Sequence, residues 1–161
     1  MKIWKRVIII MDIIIREVKK EDKEAINDLF EKLLSNHGCN YGIGHGYPDY
    51  IYNKIFDKEQ TYNAFVALLL NKDKKEIKTV GYIMLELNKR DRHSFIQGLF
   101  IEEEYRKQGI AKRLVNEVEK YSKGLGFNSI TAEARQEVFI DFYRNLGYSI
   151  KSRKNDATYW I

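Results

Sequence analysis

Around residues 95–124 the chain passes from a β-prone run through a charged, glycine-bearing turn straight into an amphipathic helix. This junction is the feature that most restricts the fold. Residues 95–101 read as a strand. The turn reads Arg106-Lys107-Gln108-Gly109-Ile110-Ala111. Residues 109–123 read as a helix with Ile110, Leu114, Val115, Val118 and Tyr121 on one side. Gly109 can adopt backbone angles closed to other residues and lets a ligand approach the chain closely. The first N–H groups of a helix have no intrahelical acceptor, and the helix start carries about half a positive charge. With Arg106 and Lys107 beside them, those donors form a cradle suited to a pyrophosphate. An ordinary strand-to-helix turn is the plain alternative.

The turn is not a Walker loop, because no Gly-Lys-Ser/Thr follows the glycine, and it lacks the three spaced glycines of a dinucleotide fingerprint. Arg106-x-x-Gly109-x-Ala111 after a strand does resemble the acyl-coenzyme A pyrophosphate loop of the GNAT superfamily of N-acetyltransferases. Two further segments are similar to that family. Residues 128–135 read as a strand, and residues 136–146 as a helix closed by Gly147. Phe142-Tyr143-Arg144-Asn145-Leu146-Gly147-Tyr148 looks like the family's Tyr-x-x-x-Gly-Phe segment. The similarity spans residues 12–161, with recognisable motifs in 79–148.

The resemblance implies an α/β fold: a mixed, mostly antiparallel central sheet with flanking helices and a βαβ coenzyme-binding core. It implies acetyl-coenzyme A as co-substrate. The coenzyme would be held by Leu99, Phe100, Ile101, Arg106, Lys107, Gln108, Gly109, Ile110, Ala111, Gln136 and Tyr143. Tyr143 matches the tyrosine that lies near the coenzyme sulfur and serves as general acid, although a packing role on the apolar face of its helix is the alternative. Departures stand out at two places. Gln136 occupies the place of an asparagine that hydrogen-bonds the pantetheine arm, and Phe139 that of a small residue. Gln97 stands where relatives often carry a glutamate, and a glutamine cannot accept a proton as a base.

A chain of 161 residues suits one domain, 1–161, burying roughly two thirds of its unfolded surface. Apolar residues at 44% are enough to build a core, and a single proline leaves no evident linker. The 28 basic and 23 acidic side chains are interspersed, so the net charge of +5 favours solubility and attracts a polyanionic ligand. No nucleic-acid reading motif is present. One cysteine, Cys39, excludes an internal disulfide and fits a reducing, cytoplasmic setting. The basic and apolar N-terminus is interrupted by Asp12 and is too short to span a bilayer, so no membrane partner is expected. Residues 1–10 read as an extension, with Met11 as an alternative start. A homodimer is left open.

Elsewhere, residues 22–36 read as a helix and residues 48–58 as a second, with Pro48 in its first turn. Residues 62–70 and 79–87 read as strands of a long hairpin joined by the charged loop 71–78. Two short strands, 148–151 and 158–161, end the chain.

Residues 36–50 hold four glycines, two histidines, Cys39 and three tyrosines. In the family the corresponding segment covers the acceptor, so Tyr41, Tyr47 and Tyr50 are candidates to line an amine pocket. A zinc site of His37, Cys39, His45 and Asp49 lacks paired-ligand spacing, and no metal is expected. The implied chemistry is attack of a neutral amine on a thioester carbonyl, which requires a base, an oxyanion donor and protonation of the departing thiolate. Backbone N–H groups near residues 99–101 would supply the oxyanion donor. Glu86, His93 or a water chain are the candidates for base, and Glu86 and Gln97 are candidates for acceptor contact. A small-molecule amine or a peptide amine is the implied acceptor. Two other classes remain: a coenzyme A-binding sensor with little catalysis, and an unrelated phosphate-ligand protein.

Overall fold

The computed structural model describes residues 12–37, 47–134, 137–150 and 156–160. Seven strands form one sheet: β1 Ile13–Glu17, β2 Tyr62–Leu70, β3 Glu76–Asn88, β4 His93–Ile101, β5 Ser129–Glu133, β6 Ser149–Ile150 and β7 Asp156–Trp160, in spatial order β1-β2-β3-β4-β5-β7-β6. Among the described residues only β4 and β5 run parallel, and helix α3, Ile110–Gly124, connects them. The mixed, mostly antiparallel sheet with a βαβ core is therefore as the sequence implied.

β2 reads as a near-continuous apolar run because both of its faces are covered. Phe65, Ala67 and Leu69 face α3, whose Ile110, Leu114, Val115 and Val118 recur at helical spacing and are buried in the same cluster. Ala64, Val66 and Leu68 face the other way. They meet Ile26, Leu29 and Phe30 of α1 (Lys23–His37) and Tyr52 and Ile55 of α2 (Tyr47–Ile55). Helix α4, Glu137–Asn145, belongs to the α3 side. The sheet is thus sandwiched, with the strand-to-helix junction on one face and α1 and α2 on the other.

Two expected boundaries move for local reasons. The second helix stops at Ile55 rather than continuing to 58. Asp57 Oδ1 accepts the Gln60 N–H at 2.9 Å, Lys54 pairs with Asp57 at 3.2 Å, and Gln60 turns left-handed at φ +44°. In the hairpin, the expected loop 71–78 contracts to a tight turn. Asn71 Oδ1 accepts the N–H groups of Asp73 and Lys75, both at 2.9 Å, and Glu76 to Lys78 join β3. Their charge masked a strand end that is exposed and so tolerates it.

Candidate active site

The site begins where β4 loses its second neighbour. The β4–β5 ladder pairs His93–Ile96 with Ser129–Ala132 and then stops, while β4 continues to Ile101. Residues 97–101 therefore present a backbone edge toward β5 with no strand among the described residues to pair it. A bulge coincides with the break. Met84 faces Gly98 and Leu85 faces Ile96, so Gln97 has no opposite on β3. Bulges re-aim side chains and end pairing, here at one point of the central sheet.

Beyond β4, a 3-10 turn (Glu103–Tyr105) leads into the loop before α3. Lys107 and Gly109 both take left-handed backbone angles, φ +59° and +78°. A Cβ built on Gly109 would meet nothing within 4 Å, so it is the backbone angle and not crowding that favours glycine there, and the space beside it is open. The first helical hydrogen bond runs from the Arg113 N–H to the Gly109 carbonyl at 3.1 Å, which leaves the N–H groups of Ile110, Ala111 and Lys112 without an intrahelical acceptor. Arg106 is held in place: its Nε donates to the Ile101 carbonyl at 2.9 Å, and its guanidinium lies 5.6 Å from the centre of the Phe100 ring. Glu102, buried at the strand end, is paired with Lys32 of α1 and Lys78 of β3, both at 2.5 Å. Burial alone would raise its pKa, but the two lysines outweigh that and hold it below the usual glutamate range.

These elements enclose a cleft of about 660 Å³. Eight residues expected at the coenzyme line it: Leu99, Phe100, Ile101, Arg106, Lys107, Gly109, Ile110 and Ala111. Gln108 is not among them, and its amide instead donates to the Glu104 carbonyl at 3.3 Å. The sequence reading missed Tyr105, Lys112, Val138, Phe139 and Phe142. Helix α4 is apolar on two sides. Tyr143 faces the core, whereas Val138, Phe139 and Phe142 form the cleft wall, and the signal for this was their spacing of one and four. Phe139, in the position of a small residue in relatives, is thus a wall residue.

Tyr143 lies next to this wall rather than in it. Its side chain is 4% exposed, packed against Phe142 and Tyr148 with ring centres 5.1 and 5.0 Å away. Burial pushes its phenol pKa well above the ordinary value, so the group stays protonated. Gln136 and Tyr41 lie outside the described residues, as do Cys39 and His45 of the zinc alternative. Tyr47 opens α2, but its side chain lies outside the description, and Tyr50 on the same helix is exposed. Among the described residues no group of three or more His, Cys, Asp or Glu side chains is arranged to hold a metal.

Two of the basic candidates separate. His93 sits at the start of β4, opposite the loop end, with its ring nitrogens engaged by Ser129 Oγ at 2.7 Å and Thr131 Oγ1 at 2.9 Å. Glu86 is at the bulge, where its carboxylate accepts a hydrogen bond from the Gln97 amide. Both Glu86 and Gln97 are half-buried, not on a solvated surface.

The GNAT acetyltransferase family model matches residues 24–148, and the chain belongs to that family, a family of acyltransferases. The fold is similar to that of a GNAT-family acetyltransferase from Staphylococcus aureus Mu50 (TM-score 0.73, 19% identity, covering 92% of this chain and 98% of that one). NAA60 of Arabidopsis thaliana, solved with a bisubstrate analogue, gives 0.70 and 18%, covering 93% and 98%. The PaiA N-acetyltransferase of Thermoplasma acidophilum, solved with coenzyme A, gives 0.63 and 18%, covering 92% and 97%. Comparison with curated protein sequences yields no match. No helix among the described residues is long and apolar enough to cross a membrane.

Proposed function

We propose that this protein transfers an acetyl group from acetyl-coenzyme A to the amine of a small molecule or peptide by direct attack. The observation that carries the reading is the meeting of three features in one cleft. An unpaired β4 edge gives hydrogen-bonding positions for an amide-bearing arm. The open space beside Gly109 at the start of α3 suits a pyrophosphate. An apolar wall of Val138, Phe139 and Phe142 suits the arm between them.

Within this reading, Arg106, Lys107 and the α3 N–H groups hold the pyrophosphate. The β4 backbone beyond the bulge orients the thioester. Glu86, steadied by Gln97, takes the proton that the attacking ammonium must lose, and Tyr143, beside the α4 wall, is the candidate from the family resemblance to hydrogen-bond and protonate the departing thiolate. Glu86 makes up for the absence of a carboxylate at position 97, which favours catalysis over a purely coenzyme-sensing role. The acceptor enters from the α1 and α2 side, where Tyr50 of α2 is exposed, and Tyr41 and Tyr47 stay candidates from the family resemblance.

Thermal unfolding with ligands tests the reading without knowledge of the acceptor. A ligand present at a hundred times its Kd stabilises the native state by about 2.7 kcal/mol. For a domain of this size each kcal/mol moves the midpoint by roughly 2–4 °C. Millimolar acetyl-coenzyme A is therefore expected to raise the midpoint by several degrees, desulfo-coenzyme A to retain most of that shift, and ATP and NAD to do much less. A shift with ATP and none with acetyl-coenzyme A overturns the assignment. Turnover against a panel of primary amines then separates transferase from sensor.

A further inference from the structure

We propose that the Tyr82 hydroxyl is a second hydrogen-bond donor to the acetyl oxygen during transfer, acting from the face of the sheet opposite α3. The proposal rests on the acetyltransferase reading above. Tyr82, in the middle of β3, is 0% exposed, and its hydroxyl is buried without a hydrogen-bond partner among the described residues. It belongs to the apolar cluster of that layer, with Val66, Met84 and Phe100. A buried hydroxyl left unpaired is destabilising, and phenylalanine would occupy the same place without that penalty. A hydroxyl in that place is a donor suited to an acceptor that a bound ligand brings against it.

The direction of the ring identifies the partner. Tyr82 is opposite Phe100 in the β3–β4 register, yet its ring leans along the strand toward Gly98. A Cβ on Gly98 would lie 3.7 Å from Tyr82 Cε2 and 3.9 Å from its hydroxyl oxygen. Gly98 directly follows the bulged Gln97, and both lie beyond the last β4–β5 pair, Ile96 with Ala132. The hydroxyl therefore rests over β4 at the place where the sheet opens, and Gly98 itself puts no side chain in its way. A thioester lying in that opening has one strong acceptor to offer, its carbonyl oxygen.

The chemistry matches a donor that never ionises. Burial alone pushes the Tyr82 pKa far above the ordinary phenol value. As the amine nitrogen bonds to the carbonyl carbon, the C=O π pair moves onto oxygen. As the C–S bond breaks, that pair re-forms C=O and the thiolate takes up a proton. A fixed O–H aimed at the oxygen is strongest between these two events and gives up no proton in either.

Tyr82→Phe tests this. Against wild type, kcat is expected to fall about 100-fold, the loss typical of one oxyanion donor, and by the same factor for every amine accepted. The Kd for acetyl-coenzyme A by calorimetry should stay within about twofold, and the melting midpoint should be unchanged or higher, because an unpaired hydroxyl has been removed. Wild-type kcat in the variant overturns the proposal. So does a lowered midpoint, which would reveal a structural partner, and so does a loss confined to the KM of one amine. Because wild-type binding and turnover are measured in the same series, failure of the variant to respond leaves the transferase reading standing. A wild type that binds acetyl-coenzyme A but acetylates no amine overturns both.

Discussion

Gln97 Nε2 lies 2.5 Å from Glu86 Oε2, so the bulged residue of β4 grips a carboxylate that stands on β3. Where relatives often carry a glutamate on β4, this chain places a carboxylate one strand away. Glu86→Gln is expected to lower kcat by about 100-fold while leaving coenzyme affinity unchanged. Gln97→Ala, which frees the carboxylate from this bond, should cost about 10-fold. Steady-state kinetics over pH 6–9 reads both. Full activity in Glu86→Gln would assign proton removal to water.

Gly109→Val confronts two obstacles, since its φ of +78° is hostile to a β-branched residue and its side chain would project into the open space beside the helix start. Affinity for coenzyme A should fall by at least about 30-fold, equivalent to about 2 kcal/mol. Isothermal titration gives the answer directly, and undiminished affinity would detach the pyrophosphate from this turn. The Arg106→Ala variant should lose more affinity at low than at high salt.

Tyr143→Phe separates proton donor from packing residue. As a donor to the departing thiolate, Tyr143 is expected to be worth about 100-fold or more in kcat, with little change in coenzyme affinity. As a packing residue between Phe142 and Tyr148, it would leave turnover intact. Turnover with the best amine found distinguishes the two.

The strand–turn–helix unit was legible because each signal was local: a β-prone run, a glycine, and apolar residues at helical spacing. Eight of the residues expected at the coenzyme follow from it, and the structure brings them to one cleft. The α4 wall was not legible, because Val138, Phe139 and Phe142 read as core until the fold shows that Tyr143 takes the inward face. The Glu86–Gln97 pair depends on a register shift across two strands, and the orphaned Tyr82 hydroxyl on the surroundings of a buried ring. Neither leaves a trace in local spacing.

Gly81 and Ile101 constrain the end of β4 from the other side. A Cβ on Gly81 would lie 2.6 Å from Ile101 Cδ1 and 2.8 Å from the Phe100 carbonyl oxygen, too close without backbone movement. Gly81→Ala is expected to destabilise the fold by about 1–3 kcal/mol. Because Phe100 and Ile101 line the cleft, coenzyme affinity should fall as well. Chemical denaturation and titration together test this, and a stable variant with normal binding would contradict it.

Asp22 governs stability in acid. Its buried carboxylate accepts Arg16 Nη1 and Nη2 at 2.7 and 2.9 Å and the Lys19 N–H at 2.7 Å. Burial pushes its pKa up, but these bonds outweigh burial and hold it below the usual aspartate range. A group depressed on folding contributes stability above its unfolded pKa and loses it as pH falls through the folded value. Wild-type stability should therefore decline below about pH 4. Asp22→Asn should be less stable at neutral pH by about 3 kcal/mol, with a shallower decline in acid. Equal slopes in a denaturation series from pH 7 to pH 3 would refute it.

The early end of the β4–β5 ladder has a consequence for how the chain assembles. Only four residue pairs join the meander β1–β4 to the late strands β5, β7 and β6. Each of the three pairings in the meander is antiparallel, whereas β5 is added by the sheet's one parallel pairing, across the α3 crossover. The N-terminal leaf can close through hairpins, while the C-terminal leaf must be carried in and set down along a short seam. A coenzyme lying in that seam would then act as a rung of the sheet, so that the same molecule feeds the reaction and completes the scaffold on which the reaction runs.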